Sequence, residues 1–170
     1  MKKLIILGLI ASLYCVISSC SSKPEKHTDT QTQKIEPAEI NDLPAILLME
    51  QDGKQYSTRS LAGNTLLIFF GPECEHCQRE AVQIHKNLKG FERYTLYFIA
   101  LDPFPLITKF AEDYKINNQP NIHFARADGP TVFNSLGQIQ TPTILIYAAN
   151  RKLIKRFDGE TKIEEILKLL

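Results

Sequence analysis

The chain has 170 residues, enough for one well-cored domain and too few for two comfortable ones. Its 20 Lys and Arg stand against 19 Asp and Glu, a net charge of +1, so no basic excess exists to neutralise a phosphate backbone and nucleic acid is not an expected partner. With 44% hydrophobic and 23% charged residues the composition is that of an ordinary globular domain, and the 4 cysteines are too few for a disulfide scaffold.

Lys2 and Lys3 precede an uncharged, mostly apolar run over 4–17, which Ser18, Ser19 and Cys20 close. The run falls short of the roughly 18–20 residues that span a bilayer, so 1–19 is predicted to be a signal segment. Ile17-Ser18-Ser19-Cys20 resembles a bacterial lipobox, in which an aliphatic residue and two small ones precede the cysteine that is lipidated. That resemblance implies membrane lipid as a partner through Cys20, held firmly if several acyl chains are attached. An ordinary signal peptide with a chance cysteine is the alternative. Cys15, inside the run, reads as an apolar filler. Residues 20–40 are polar, with Ile35 alone among them as an aliphatic before Ala38, and read as a lipidated cysteine with a flexible tether. The folded domain is expected over 41–170.

Within it, 45–49 and 54–57 flank Asp52-Gly53 and predict a hairpin of two short strands. Residues 60–64 read as a brief helical turn broken at Gly63. Residues 65–70 are continuously apolar after Thr65, as a central strand buried on both faces would be. Beyond Gly71-Pro72 the period becomes helical, with Ala81, Ile84, His85 and Leu88 on one side and Gly90 as terminator. A second buried strand is expected over 94–101, a helix over 105–114, a short strand over 122–125 and a short helix over 131–136. Residues 143–147 and 153–157 form a further hairpin about Ala149-Asn150, and 162–170 a closing helix. The predicted order, β-β-β-α-β-α-(β/α)-β-β-α, makes a mixed sheet covered on both faces.

Cys74-Glu75-His76-Cys77 sits directly after the first buried strand, at a helix start. Unpaired amides and the helix dipole there favour a thiolate at the more N-terminal cysteine, and two intervening residues let the second thiol reach the first. A charged His76 would favour that thiolate, and Glu75 would oppose it. Zinc would need a second ligand pair that the chain lacks, and a static structural disulfide is the other alternative. A redox-active pair fits the helix-start position best. His85 reads as a packing residue rather than a ligand.

Several stretches together carry a family resemblance: Leu43-Pro44 with Asp52-Gly53-Lys54, then Ser60-Leu61-Ala62-Gly63-Asn64, then Leu66-Leu67-Ile68-Phe69-Phe70-Gly71-Pro72-Glu73-Cys74-Glu75-His76-Cys77, then Thr141-Pro142-Thr143, and Gly159 before the last helix. Over 43–170 they resemble the membrane-tethered, extracytoplasmic thiol–disulfide oxidoreductases of the TlpA/ResA-like group. The resemblance implies an α/β, thioredoxin-like fold, a central mixed sheet flanked by helices with an N-terminal β-hairpin. It implies an enzyme without cofactor that exchanges disulfides with protein thiols in the cell envelope, slightly favouring reduction over oxidation. It also implies a membrane electron-transfer partner if the protein is a reductant, with cytochrome c maturation as a typical setting. Cys74 and Cys77 would be catalytic, Thr141–Pro142 would be cis and orient a partner chain, and Glu80 would assist proton transfer.

The departures are specific. The group usually has tryptophan at Phe70 and at Glu73, and this chain has no tryptophan. Phe70 can keep the packing role, whereas Glu73 would tend to raise the Cys74 pKa. A histidine before the second cysteine, His76, is typical of strong oxidants. Two rivals share the fold. A thiol peroxidase usually carries Thr or Ser three residues before its cysteine, where this chain has Gly71. A copper-binding or partner-binding lipoprotein would want a distal histidine, and His123 falls before the Thr-Pro segment.

Overall fold

The computed structural model describes residues 41–170. The signal segment, Cys20 and the tether expected over 1–40 lie outside the described residues. Among the described residues, no helix is long and apolar enough to cross a membrane.

The N-terminal hairpin pairs β1 (Leu47–Met49) with β2 (Gln55–Ser57) about Gly53, whose φ of +86° a side-chain-bearing residue would resist. The helical turn expected over 60–64 is instead a single 3-10 turn at Thr58–Ser60. The reason is local: the Ser57 hydroxyl accepts from the Arg59 N–H at 3.2 Å and caps the turn earlier. Then come β3 (Thr65–Phe69), α1 (Glu75–Lys86), β4 (Thr95–Ala100), α2 (Phe104–Asp113), β5 (Ile122–Ala127), α3 (Gly129–Leu136), β6 (Thr143–Tyr147), β7 (Leu153–Asp158) and α4 (Ile163–Leu167).

The seven strands form one sheet in the order β2-β1-β5-β4-β3-β6-β7. β3, β4 and β5 run parallel, joined through α1 and α2; β6, β7 and the N-terminal hairpin are antiparallel to their neighbours. β3 lies at the heart of this sheet, paired with β4 on one side and β6 on the other, and every residue of it is buried. Its side chains alternate as a strand requires. Leu66, Ile68 and the following Phe70 face the layer containing α1, α2 and α4, while Leu67 and Phe69 face Val132 of α3 and the N-terminal segment. β6 divides in the same way, with Ile144 and Ile146 on one face and Leu145 and Tyr147 on the other.

Several predicted elements differ at their edges by a residue or more. β5 runs two residues beyond 125 because Ala127 and Arg126 pair with β1. Leu101, expected inside the second buried strand, lies past its end and is 50% exposed. The regular part of the closing helix is Ile163–Leu167 rather than the whole of 162–170. The architecture is the expected α/β thioredoxin-like fold.

Phe70 occupies the place where β3 gives way to the loop before Cys74. Its ring lies 4.5 Å from that of Phe110, 5.6 Å from that of Phe98 and 6.5 Å from that of Phe124, and it is 3% exposed. Phe70→Ala is therefore expected to cost about 3–5 kcal/mol of stability, measured by urea denaturation.

Candidate active site

The site stands at the carboxyl end of β3. Phe70 still belongs to the sheet, its N–H donating to Ile99 O at 3.0 Å, and Cys74 N–H then closes a turn onto Gly71 O at 3.1 Å. Cys74 is the N-cap of α1: its sulfur accepts from the Cys77 N–H at 3.4 Å, and its carbonyl receives the Gln78 N–H at 3.0 Å. Sulfur here does what a serine or aspartate oxygen does at most helix starts. The Gln78 side chain fixes the loop from the other side by donating to Pro72 O at 3.0 Å.

The two thiols are free and unequal. Cys74 is part-exposed, and Cys77 is buried at 2% exposure. Desolvation tends to raise the Cys74 pKa, but hydrogen bonds from the Cys77 thiol and N–H, from Thr141 and from the His76 N–H outweigh it and bring the thiol below its usual range. Cys77 behaves in the opposite way. Burial, the hydrogen bond it gives Cys74 and the charge on Cys74 push it up to about 12. One cysteine is thus prepared to attack as a thiolate, and the other is kept as a thiol.

Thr141–Pro142 is cis, as the family resemblance implied. It lies against the dithiol: Cys74 Sγ is 3.6 Å from the Thr141 carbonyl. Thr141 is exposed and Pro142 buried, so the residue before the proline offers its surface beside the sulfur. Glu80 is on the buried side of α1 at 3% exposure, and its Oε1 has no hydrogen-bond partner. Burial raises its pKa. The Thr161 backbone hydrogen bond opposes this, the negative charges of Glu160 and Cys74 add to it, and the carboxyl ends up at about 8.

The intervening dipeptide departs from expectation. His76 acts on Cys74 through its backbone N–H, while its ring pairs with Glu160, Nδ1 to Oε2 at 2.7 Å. Glu75 is exposed and stands 3.8 Å from Arg79. Glu73 is exposed too, and the Cys74 pKa is lowered despite it. Arg79, Glu160 and Thr161 went unnoticed in the sequence, where Gly159 was read only as the residue before the last helix. The one available signal was an arginine at i+3 from His76, on the same helix face. His85 is half-buried, with Nδ1 unpartnered. Among the described residues no group of three or more His, Cys, Asp or Glu side chains is placed to hold a metal ion.

The model of the AhpC/TSA family matches residues 40–156. No curated protein matches the chain by sequence. Among solved structures the chain is similar to MTB DsbF in mixed oxidised and reduced forms, with 19% identity over 76% of this chain and 96% of that one and a TM-score of 0.62. It is similar to a secreted Mycobacterium tuberculosis disulfide oxidoreductase homologous to E. coli DsbE, at 15% identity over 74% and 93% with a TM-score of 0.62. Copper-bound ScoI of Arabidopsis thaliana also matches, at 11% identity over 75% and 97% with a TM-score of 0.57. At these identities the likeness is one of fold.

Glu80 makes the site's stability depend on pH. The fold holds its proton up to about pH 8, whereas an unfolded carboxyl releases it near the ordinary 4.5. This contribution is therefore complete below about 4.5 and is lost as pH rises through 8. Urea denaturation should show the wild type losing a few kcal/mol between about pH 5 and pH 9 relative to Glu80→Gln, which cannot ionise.

Proposed function

The chain belongs to the AhpC/TSA family, and we propose that within it this protein is a thiol–disulfide oxidoreductase acting on protein thiols and disulfides of the cell envelope. The dithiol in its thioredoxin-like setting is arranged for thiol–disulfide exchange. The observation that carries the reading is the inequality of the two thiols, a part-exposed sulfur with a lowered pKa at a helix start and a buried partner pushed up to about 12.

In the reductive direction the Cys74 thiolate attacks a substrate disulfide. Its sulfur bonds to one substrate sulfur, the substrate S–S bond breaks, and the other substrate sulfur leaves as a thiolate. Cys77 then loses its proton, for which the ionised Glu80 carboxylate is the nearby acceptor. Its sulfur bonds to Cys74, and the remaining substrate thiolate departs. The dithiol gives two electrons and becomes a disulfide, and the disulfide run backwards takes two electrons from substrate thiols. The exposed Thr141 and the buried Pro142 orient the incoming chain, which meets Cys74 at the Thr141 carbonyl. No metal, flavin or haem takes part in this exchange.

Reduction is the direction slightly favoured, with a membrane electron donor restoring the dithiol and cytochrome c maturation as the setting suggested by the TlpA/ResA-like resemblance. The DsbE-homologous disulfide oxidoreductase of similar fold is a secreted protein, in keeping with a place outside the cytoplasm. Gly71, where a thiol peroxidase carries a hydroxyl, weighs against peroxide as the substrate. The domain is proposed to be tethered through Cys20 after removal of 1–19, with 20–40 as the spacer.

Cys74→Ser should abolish exchange with a disulfide-bonded protein substrate, whereas Cys77→Ser should accumulate a substrate-linked mixed disulfide, visible on non-reducing gels. A reductant should equilibrate at about −220 mV or below; wild-type activity undiminished in Cys74→Ser would overturn the assignment. Fatty-acid labelling in cells should mark the wild type and not Cys20→Ser, and the variant should leave the membrane fraction.

A further inference from the structure

One turn, Gly159-Glu160-Thr161, reaches the dithiol region at three places. Gly159 sits at φ +87°, a conformation that favours glycine, and its N–H donates to Pro142 O at 2.8 Å. Thr161 meets the buried Glu80 through its backbone. Between these two anchors the Glu160 carboxylate accepts from Arg79 Nε at 2.9 Å and from Arg79 Nη2 at 2.7 Å, and stands 2.7 Å from His76 Nδ1. Because the backbone is fixed on both sides, the carboxylate is delivered to α1 rather than left to wander.

His76 Nδ1 is also 2.7 Å from Arg79 Nη2. A single ring nitrogen cannot treat both neighbours alike. Deprotonated, it accepts from Arg79; protonated, it donates to Glu160. In either state the same ring nitrogen stays engaged within the Glu160–Arg79 cluster. Arg79 is likewise occupied, by Glu160 on one side and by Glu75 at 3.8 Å on the other. The two side chains able to carry positive charge in the first turns of α1 are thus held by an acid that comes from 84 and 81 residues along the chain.

We propose that Glu160 is a positioning residue for the dithiol: it occupies the His76 imidazole and the Arg79 guanidinium, which would otherwise be free to favour the Cys74 thiolate, and so keeps the pair more reducing. This rests on the oxidoreductase reading. The sign follows from charge. A freed cation near Cys74 stabilises the thiolate, hence the dithiol form, and makes the pair a weaker reductant.

The test uses the full chain, equilibrated with glutathione, in which the disulfide plus two glutathione thiols give the dithiol plus one glutathione disulfide. Wild type, Glu160→Gln, the pair His76→Asn with Arg79→Gln, and all three substitutions together are compared. The Cys74 thiolate is titrated in parallel by the pH dependence of its alkylation. Glu160→Gln should move the equilibrium about threefold toward the dithiol, the scale of an exposed ion pair, and should lower the pH at which Cys74 titrates. In the chain already lacking His76 and Arg79 it should do neither. A wild type that cycles while Glu160→Gln leaves both readings unmoved overturns the inference alone, as does an equal shift in both backgrounds, which would mean that Glu160 acts on the sulfur directly. A wild type that never exchanges with glutathione overturns the oxidoreductase reading and this inference with it.

Discussion

The start of α1 is capped by a sulfur, and most of what the site does depends on that. A helix N-terminus presents several N–H groups without intrahelical partners. Here the Cys77 N–H finds Cys74 Sγ. A negative sulfur is the better acceptor, so the demand of the helix and the demand of the chemistry coincide in one atom. The surrounding structure makes this arrangement rigid. β3 is buried on both faces and paired on both edges, Phe70 is locked among three other rings, and Gln78 ties the Pro72 carbonyl.

Depth then separates the roles. Cys74 lies at the surface, Cys77 one helical step inside, and Glu80 a further turn along the same buried stripe as Ala81 and Ile84. Burial favours the protonated form of both inner groups. It keeps Cys77 protonated until a neighbour takes its proton, and it brings a carboxyl that would ordinarily ionise near 4.5 to about 8. An acid of that strength can both hold and release a proton near neutrality. The antiparallel strand β6 contributes from the other side, because it begins immediately after Pro142 and sets the Thr141 carbonyl against the sulfur.

Much of this was legible in the sequence, because the features involved are local or periodic. Residues 65–70 and 143–147 are apolar without alternation, which only strands covered on both faces require, and Gly71-Pro72 announces the change of period before Cys74. The 122–125 segment was harder, because His123 interrupts its pattern and Arg126 hides its continuation; its full length comes from pairing with β4 and β1, which no local window contains. The early 3-10 turn was missed because a serine hydroxyl at Ser57, rather than a periodicity, decides where it starts. The Glu160 contact to His76 was out of reach for the same reason in stronger form. Neither residue is apolar, neither falls in a motif with the other, and only the return of β7 beside β6 brings the turn at Gly159 to α1.

The cysteine cap has one more consequence. When Cys74 enters a disulfide it loses the capacity to carry charge, and the first turn of α1 exchanges an anionic acceptor for a neutral one. The two oxidation states are therefore two slightly different folded proteins with unequal free energies of unfolding. By a thermodynamic cycle, the difference between those unfolding energies equals the difference between the driving force of the dithiol in the fold and in the open chain. Redox poise and conformational stability are in this sense a single quantity read on two axes. A residue far from the sulfurs can adjust the balance between dithiol and disulfide simply by preferring one form of the helix start over the other.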